Sequence, residues 1–468
     1  MSQAILLTKK RHDVNMTEGS IAGNLIRFAV PLLLGNLFQQ LYNMVDTWVI
    51  GRWGLDAEYA AVGSVGPIIN VLIGLFVGFS SGAGVIISQY YGAGDKKKVH
   101  DAVHTCMVIT VILAIIFTVF GIVATPFFLR LMFEAEIDTH SEIVPHAKTY
   151  LTIYFAGVVA LLIYNIGSGI LRAVGDSKRP FYFLLVSTSL NIVLDILFVV
   201  VFHMGVSGVA LATVLSQCVS AALTVLVLLR ANSEIRLILK DLAVDMPLLG
   251  KIVKIGIPTG LQMAITAFSN VFVQSYIGGI NPIVHQTEHL AAWTTYSKLD
   301  AIMFLAPQSL AVATTTFVGQ NLGKGNVARA KKGASIAWLQ ATVITALLMI
   351  PMMVFSPYLA MIFNDTPLVV EYSTILLRWL TPFYLLSCFN QVFSGALRGA
   401  GNSRAPMFNM VFSFVVFRQI YLFVMTNYIS NDLIPVSMSY PAGWLLCCIL
   451  TLISYFTFRF DKARLIEK

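Results

Sequence analysis

The chain has 468 residues, of which 57% are hydrophobic and only 12% are charged, and its mean hydropathy is +0.79. Soluble globular domains carry about 25% charged residues, so this composition excludes a soluble protein and indicates an integral membrane protein. The formal net charge of +8 does not indicate nucleic-acid binding, because most basic residues lie at the chain ends and in alternate connections between apolar segments.

Twelve apolar segments of roughly 20 to 30 residues follow one another, each long enough to cross about 30 Å of hydrocarbon as a helix. Six fall in each half, which predicts an all-α polytopic membrane protein of twelve transmembrane helices in two homologous six-helix bundles. The predicted spans are approximately residues 21–51, 60–91, 99–132, 146–173, 179–203, 206–231, 248–279, 288–322, 328–362, 368–399, 404–430 and 437–461.

The charged residues predict which loops face which side of the membrane. Of the 31 Lys and Arg residues, 25 lie at the chain ends and in the even-numbered connections, whereas the odd-numbered connections carry Asp and Glu. By the positive-inside rule both termini are cytoplasmic. The predicted parts are a cytoplasmic tail at 1–20, an N-terminal bundle at 21–231, a cytoplasmic linker at 232–247, a C-terminal bundle at 248–461 and a cytoplasmic tail at 462–468.

Three sequence features occur twice in the same order and indicate that the two halves are homologous. In membrane proteins, duplicated bundles commonly build a transport site between them. We interpret the two glycine-containing pairs as turns between helices. The repeated features are SGILRAVGDSKRP at 168–180 with SGALRGAGNSRAP at 394–406, QYYGAGD at 89–95 with QNLGKGN at 320–326, and Pro31 with Pro258.

Ionisable residues inside predicted spans are costly in a membrane and are therefore functional candidates. Asp46 lies in the first span and Asp195 in the fifth, where Asn191 is four residues earlier on the same helical face. Thr213, in the sixth span, lies at a depth similar to that of Asp195, about 13 Å from the connecting loop. These four residues predict one oxygen-rich cluster, suited to Na⁺ as a hard cation or to H⁺ held between carboxylates in low dielectric.

The second half serves as an internal control, because it carries the repeated turns and prolines without these carboxylates. A specialised site is expected to occur once, whereas scaffold residues are expected twice. The alternative is a purely structural role, in which each aspartate forms local hydrogen bonds with Asn or Thr. At the repeat offsets, Asp46 aligns with Val273, Asn191 with Phe417 and Asp195 with Tyr421.

Pro31 lies midway along the first span, where it removes one backbone hydrogen bond and predicts a kink. One interpretation is a static bend. The other is a hinge that moves when Asp46 changes its charge state.

Further charged residues occur in the C-terminal spans. Lys298 and Asp300 are two residues apart and so do not share a helical face. Together with Arg418 they are candidates for lining a central cavity, although snorkelling and local pairing are equally good interpretations of Lys298 and Asp300. Arg378 lies near the outer surface and is expected to snorkel.

Several other chemistries are not expected. All five cysteines lie in predicted helices, which predicts no disulfide bond. The H-x-x-E-H match at 285–289 lies in a short outer loop without a distal ligand, so we expect no metal site. The sequence shows neither a Walker A motif nor a nucleophile, base and oxyanion group together, which argues against ATP hydrolysis and against an intramembrane enzyme.

Taken together, VDTWVIG in the first span and the two duplicated turns resemble the multidrug and toxic compound extrusion (MATE) transporters over about residues 20 to 460. The resemblance implies two six-helix bundles arranged as a V around a central cavity. It implies alternating access, in which organic, often cationic amphipathic compounds leave as H⁺ or Na⁺ enters. It also implies a monomer in the bacterial inner membrane, with no cofactor beyond the coupling ion.

The resemblance assigns roles to individual residues. Asp46 matches the first-helix aspartate that is central to coupling, and Pro31 matches the proline at which that helix bends. Helix seven has no acidic residue and helix ten has only Glu371, which favours the branch that couples through its N-terminal bundle. The other implied site residues are Asn191, Asp195 and Thr213 for coupling, and Gln39, Tyr42, Asn43, Asn165 and Ser168 for lining the cavity.

A flippase for a lipid-linked saccharide precursor is the main alternative, because related proteins share the two-bundle fold. Such a flippase needs a basic cavity for a pyrophosphate. Only Arg418, Lys298 and Arg378 could supply it here, against two buried acids. The sequence therefore favours an antiporter and leaves the coupling ion and the natural substrate open.

Overall fold

A computed structural model describes residues 14–133, 142–231, 233–281 and 283–463, and it shows helices joined by short turns with no β-strand in those ranges. Eleven of these helices are long and apolar enough to cross a membrane. Nine come first in chain order: α1 (Ile21–Trp53), α2 (Asp56–Ala93), α3 (Lys96–Phe133), α4 (Ile143–Ala173), α5 (Lys178–Asp195), α6 (Gly205–Leu229), α7 (Met246–Gly278), α8 (Gln286–Gly323) and α9 (Val327–Val354).

The remaining predicted spans are interrupted helices. A 3₁₀ turn at Thr381–Phe383 breaks the tenth span at Pro382, which has no backbone N–H to continue the helix. This break leaves the tenth span out of the eleven, whereas Arg404–Ile429 and Leu433–Thr457 count as spans although each contains more than one short element. The segments are α10 (Ser356–Met361), α11 (Pro367–Leu380), α12 (Tyr384–Gly399), α13 (Arg404–Val411), α14 (Arg418–Val424), α15 (Leu433–Ser437) and α16 (Ser439–Thr457), with π-helical turns at Phe412–Phe417 and Met425–Ile429.

Two predicted spans end four residues or more beyond the observed helices. The ninth span ends at Val354 rather than near residue 362, because Pro357 lies in the first turn of a separate helix, α10. The twelfth span, α15 with α16, runs from Leu433 to Thr457 rather than from 437 to 461.

The first helix of each half packs against both bundles. Near the start of α1, Leu25, Phe28 and Leu32 join an apolar cluster with α8, α9 and α12 of the second half. Near its end, Val49 and Ile50 pack within the first half. Likewise, α7 packs against α2, α3 and α4 near its start and within its own half near its end.

The two bundles therefore share their packing at one end and pack separately at the other, which gives the V-shaped arrangement. The shared end carries the Lys- and Arg-rich turns after α2, α4, α8 and α12. We call it the basic end.

The duplicated motifs meet at the basic end and join the bundles. Gln89 of α2 donates its Nε2–H to the carbonyl oxygen of Gly399 at 3.0 Å, and Gln320 of α8 donates to the carbonyl oxygen of Ala173 at 2.8 Å. The two glutamines are equivalent in the sequence repeat, and so are Ala173 and Gly399. The segments interpreted from sequence as turns thus also form a reciprocal interface between the halves.

Two equivalent glycines allow this close approach. A Cβ atom on Gly92 would lie 2.0 Å from the carbonyl oxygen of Gln320, and a Cβ atom on Gly323 would lie 2.0 Å from that of Gln89. Any side chain at either position would force the helices apart. We call Gln89, Gly92, Gln320 and Gly323 the glutamine seal.

The chain segment before α1 also connects the two halves at the basic end. The backbone N–H of Val14 donates to the carbonyl oxygen of Gly175, in the first half, at 3.0 Å. Asn321, in the second half, donates to the carbonyl oxygen of Met16 at 3.0 Å. Because Met16 is fully buried, this segment is part of the packed interface.

Candidate functional site: a buried carboxylate pair in the N-terminal bundle

Asp46 and Asp195 lie together inside the N-terminal bundle, toward the end opposite the basic end. Asp46 is seven residues, or about 10 Å, from the end of α1, and it is 8% exposed. Asp195 is the last residue of α5 and is fully buried, and the span continues as the π-helical turn Ile196–Val201. Such π-turns within α-helical spans are frequent at functional sites.

Asn191 connects the two carboxylates. An amide oxygen in this place would face only carboxylate oxygens, so the amide nitrogen is the atom that fits there. In that orientation it donates to Oδ2 of Asp195 at 3.1 Å and to Oδ1 of Asp46 at 3.0 Å. The two carboxyl groups also interact electrostatically with one another, so a proton or a cation between them would relieve their mutual repulsion.

Tyrosines surround the carboxylate pair. The hydroxyl of Tyr42, one turn before Asp46 on α1, contacts that carboxylate and lies 3.4 Å from Oγ1 of Thr213. Tyr150 and Tyr154 of α4 stack with ring centroids 6.3 Å apart, and Tyr150 interacts electrostatically with both carboxylates. Sequence reasoning missed these two tyrosines, although their i,i+4 spacing places them on one helical face.

The geometry therefore brings all four predicted coupling residues into one cluster that can hold a proton or a cation. A charged, unpaired carboxylate inside a membrane costs about 3 kcal/mol or more, so two of them favour the binding of a positive ion. Oδ1 of Asp195 is buried and accepts no hydrogen bond from the described residues. That oxygen is thus available to a bound ion.

Apart from Tyr42, the other predicted lining residues of this bundle make no hydrogen bond with the four coupling residues among the described contacts. Asn165 donates back to the carbonyl oxygen of Leu161 at 2.8 Å and borders a small internal space beside α2 and α3. Ser168, one turn closer to the basic end, is buried. Gln39 and Asn43 are on the exposed side of α1.

Pro31 lies where α1 passes from one bundle to the other. The helix is continuous through Pro31, and the proline itself is buried. A cleft of about 810 Å³ opens beside it at the basic end, lined among others by Arg27 and Lys178. Pro31 is fifteen residues, or about 22 Å along the helix, from Asp46. The cleft is therefore separate from the carboxylate pair.

Comparison with known proteins identifies the family. A family model described as MatE matches residues 31–197 and again residues 258–424. The chain belongs to the MatE family. The match in both halves confirms the internal repeat, and with the fold it confirms the family that the sequence motifs indicated.

Individual relatives of this MatE protein align along nearly the whole chain. It is 28% identical over 477 residues to the probable multidrug resistance protein YoeA of Bacillus subtilis, an alignment that covers 99% of this chain and 98% of that protein. It is 30% identical over 411 residues to YpnP of the same organism, which is also named a probable multidrug resistance protein, covering 86% and 88% respectively. A MOP superfamily transporter from Pyrococcus furiosus has the same fold, with a TM-score of 0.88 at 24% identity over 95% of this chain and 97% of that chain.

The C-terminal bundle of this MatE protein carries an arginine in the place of Asn191. The two family matches begin and end 227 residues apart, and at that offset Asn191 corresponds to Arg418, which is 2% exposed. The offset of 226 residues at the duplicated turns gives Phe417 instead, and the π-helical turn Phe412–Phe417, which holds more residues than an α-helical turn, lies between the second of those duplicated turns and Arg418. The aligned sets are Asp46, Asn191 and Asp195 in the first half, and Val273, Arg418 and Leu422 in the second.

The structure places Asp300 and Arg418 within the C-terminal bundle and leaves Lys298 exposed. Asp300 accepts hydrogen bonds from the hydroxyl groups of Tyr384 and, at 3.3 Å, Tyr296. Within the described parts of the chain, no carboxylate oxygen lies within the 4.0 Å that defines an ion pair with Arg418. Asp300 and Arg418 are thus neighbours, each held by other partners.

Proposed function

We propose that this MatE protein exports organic, often cationic amphipathic compounds in exchange for H⁺ or Na⁺, and that Asp46, Asn191, Asp195 and Thr213 form the coupling site. The names of the two Bacillus subtilis relatives support drugs as the substrate class. The observation that carries the coupling proposal is the amide of Asn191 between two buried carboxylates, an arrangement that the second half lacks.

Coupling in this proposal follows from charge. With a positive ion bound, the carboxylate pair approaches neutrality. When the ion leaves, the two negative charges repel each other and attract an organic cation, and both interactions are strong in a low-dielectric interior. Because α1 carries Asp46 and packs on both bundles, a change of charge at Asp46 acts on the helix that connects them.

The hydrogen-bond donors favour H⁺ as the ion. Asn191 directs its amide donors at an oxygen of each carboxylate, which leaves fewer oxygen atoms to surround a metal cation, whereas a proton binds a single carboxylate oxygen. Na⁺ takes oxygen ligands instead. It would require Asn191 to turn its amide oxygen toward Asp46 and Asp195.

The proposed orientation places the basic end in the cytoplasm of a bacterial inner membrane, in keeping with the positive-inside rule. In that orientation the glutamine seal closes the cytoplasmic side, and the separated ends of the bundles face outward. The ion would then reach the carboxylate pair from outside.

The test is movement of rhodamine 123, a fluorescent organic cation, in proteoliposomes of the purified protein. A proton gradient and a Na⁺ gradient are imposed separately, with the membrane potential clamped. We expect accumulation of the dye against its own gradient under the proton gradient. Accumulation of the dye under the Na⁺ gradient alone would identify Na⁺ as the coupling ion. No accumulation under either gradient would contradict drug antiport and would make an assay of lipid-linked precursor flipping the next experiment.

A further inference from the structure

Arg418 is a buried charge that the coupling site does not use. Its Nη1 donates to Oδ1 of Asn270 at 3.0 Å, whereas its Nε is buried and has no hydrogen-bond partner among the described residues. A guanidinium group carries five N–H donors in a planar fork that matches a carboxylate. A fork that is buried and only partly used indicates a place for an acceptor.

The nearest negative charge does not fill this place. Asp300 interacts electrostatically with Arg418, but its carboxylate accepts hydrogen bonds from Tyr296 and Tyr384 instead. Asp300 therefore reduces the net charge of the region, which makes a buried arginine tolerable. It leaves the guanidinium nitrogen atoms without a carboxylate partner.

Aromatic rings form a wall beside the guanidinium group. The ring of Tyr440 lies 4.3 Å from the guanidinium carbon of Arg418, and the ring of Trp293 lies 5.2 Å from that of Tyr440. Asn270 is exposed and Tyr440 is partly exposed, and the hydroxyl of Tyr440 donates to Oδ1 of Asn270 at 3.3 Å. A ligand that enters between these two residues would displace that long hydrogen bond to reach Arg418. A flat aromatic ligand can stack on this wall, with its acidic group directed inward.

We propose that Arg418, Asn270 and Tyr440 form a subsite for the carboxylate of flat aromatic compounds, so that the protein takes carboxylate-bearing compounds as well as simple cations. The proposal rests on the proposed export function and adds a substrate class to it. The N-terminal bundle would hold positive charge and the C-terminal bundle negative charge, on opposite sides of the V. Asn191 in the first half and Arg418 at the corresponding position in the second half account for this difference in the charge that each bundle would bind.

The test compares two dyes that differ only at the carboxyl group: rhodamine 110, which has a free carboxylate, and rhodamine 123, its methyl ester. Binding to the purified protein in detergent is measured by fluorescence polarisation for the unaltered protein, Arg418→Gln, Arg418→Lys and Asn270→Ala. Arg378→Gln is the matched control, because that exposed arginine bonds to Ser356 outside the cluster.

We expect Arg418→Gln to weaken binding of rhodamine 110 by about 10- to 100-fold, as for the loss of a charged hydrogen-bond partner, and to leave rhodamine 123 within about twofold. Arg418→Lys keeps the positive charge but loses the planar fork of N–H donors, so its affinity for rhodamine 110 should lie between those of the unaltered protein and Arg418→Gln. If Arg418→Gln does not fold, Arg418→Lys provides the same comparison with a smaller expected loss.

An equal loss for both dyes, or no loss for rhodamine 110, would overturn the subsite. Failure of the proposed export function is detected in a different assay, transport in proteoliposomes. In that case neither dye would move in proteoliposomes under an ion gradient, whatever the difference between the two dyes in detergent.

Discussion

Replacing Gly323 by alanine should open the glutamine seal. A Cβ atom there would lie 2.0 Å from the carbonyl oxygen of Gln89, whereas ordinary contacts begin near 3.4 Å, so the helices must separate by about 1.4 Å. The reciprocal hydrogen bonds of Gln89 and Gln320, at 3.0 and 2.8 Å, would both be lost. At about 0.5–1.5 kcal/mol each, their loss disfavours the sealed arrangement by about 1–3 kcal/mol, or about 5- to 150-fold in population.

The assay is the rate at which a thiol reagent modifies a cysteine placed beside the seal. Ser88 is fully buried, so Ser88→Cys in a background without native cysteines reports on opening. We expect Gly323→Ala to speed modification by about tenfold, and Gly92→Ala to do the same because its Cβ would meet Gln320 equally closely. Gly250→Ala is the matched control, because a Cβ there meets nothing within 4 Å. Equal rates in Gly323→Ala and Gly250→Ala would refute the reasoning.

Three further predictions concern single residues. Asp195→Asn should clearly reduce ion-driven dye transport, though less than a change at Asp46, and an unchanged ion dependence would remove Asp195 from the site. Pro31→Ala restores one helical hydrogen bond and should slow transport without lowering the melting temperature, whereas unchanged turnover would make the proline a static bend. The N–H of Leu248 and then the ammonium of Lys98 hold the pKa of Asp245 below its usual value. Its stabilising effect is therefore present above about pH 4 and lost as the pH falls through the lower folded-state pKa. In thermal melts, the difference between the unaltered protein and Asp245→Asn should shrink from pH 7 to pH 3, and a constant difference would contradict this.

The sequence predicts where helices occur better than where they break. Long apolar segments identify membrane spans because lipid forces each backbone to satisfy its own hydrogen bonds. The break at Pro382 and the early end of α9 at Val354 occur inside segments that are apolar throughout, so composition does not reveal them. The roles of Gln89 and Gln320 depend on contacts between distant segments, which a motif shows only as a repeated turn.

The candidate site is predictable where a residue is unusual for its surroundings. Asp46 and Asp195 are conspicuous because carboxylates are rare in membrane spans, and the structure brings them together. Tyr150 and Tyr154 are not conspicuous, since tyrosine is common in apolar helices. The correspondence of Asn191 with Arg418 uses the 227-residue offset of the family matches, and the π-helical turn before Arg418 has no signal in the sequence.

The measurement that tests the central claim most directly is dye accumulation driven by an imposed ion gradient in proteoliposomes containing Asp46→Asn. Asp365→Asn, an exposed residue, serves as the matched control for loss of a carboxylate charge. The account predicts that Asp46→Asn abolishes driven accumulation while its melting temperature stays within a few degrees of that of the unaltered protein, and that Asp365→Asn transports normally. Driven accumulation by Asp46→Asn at the rate of the unaltered protein would contradict the account.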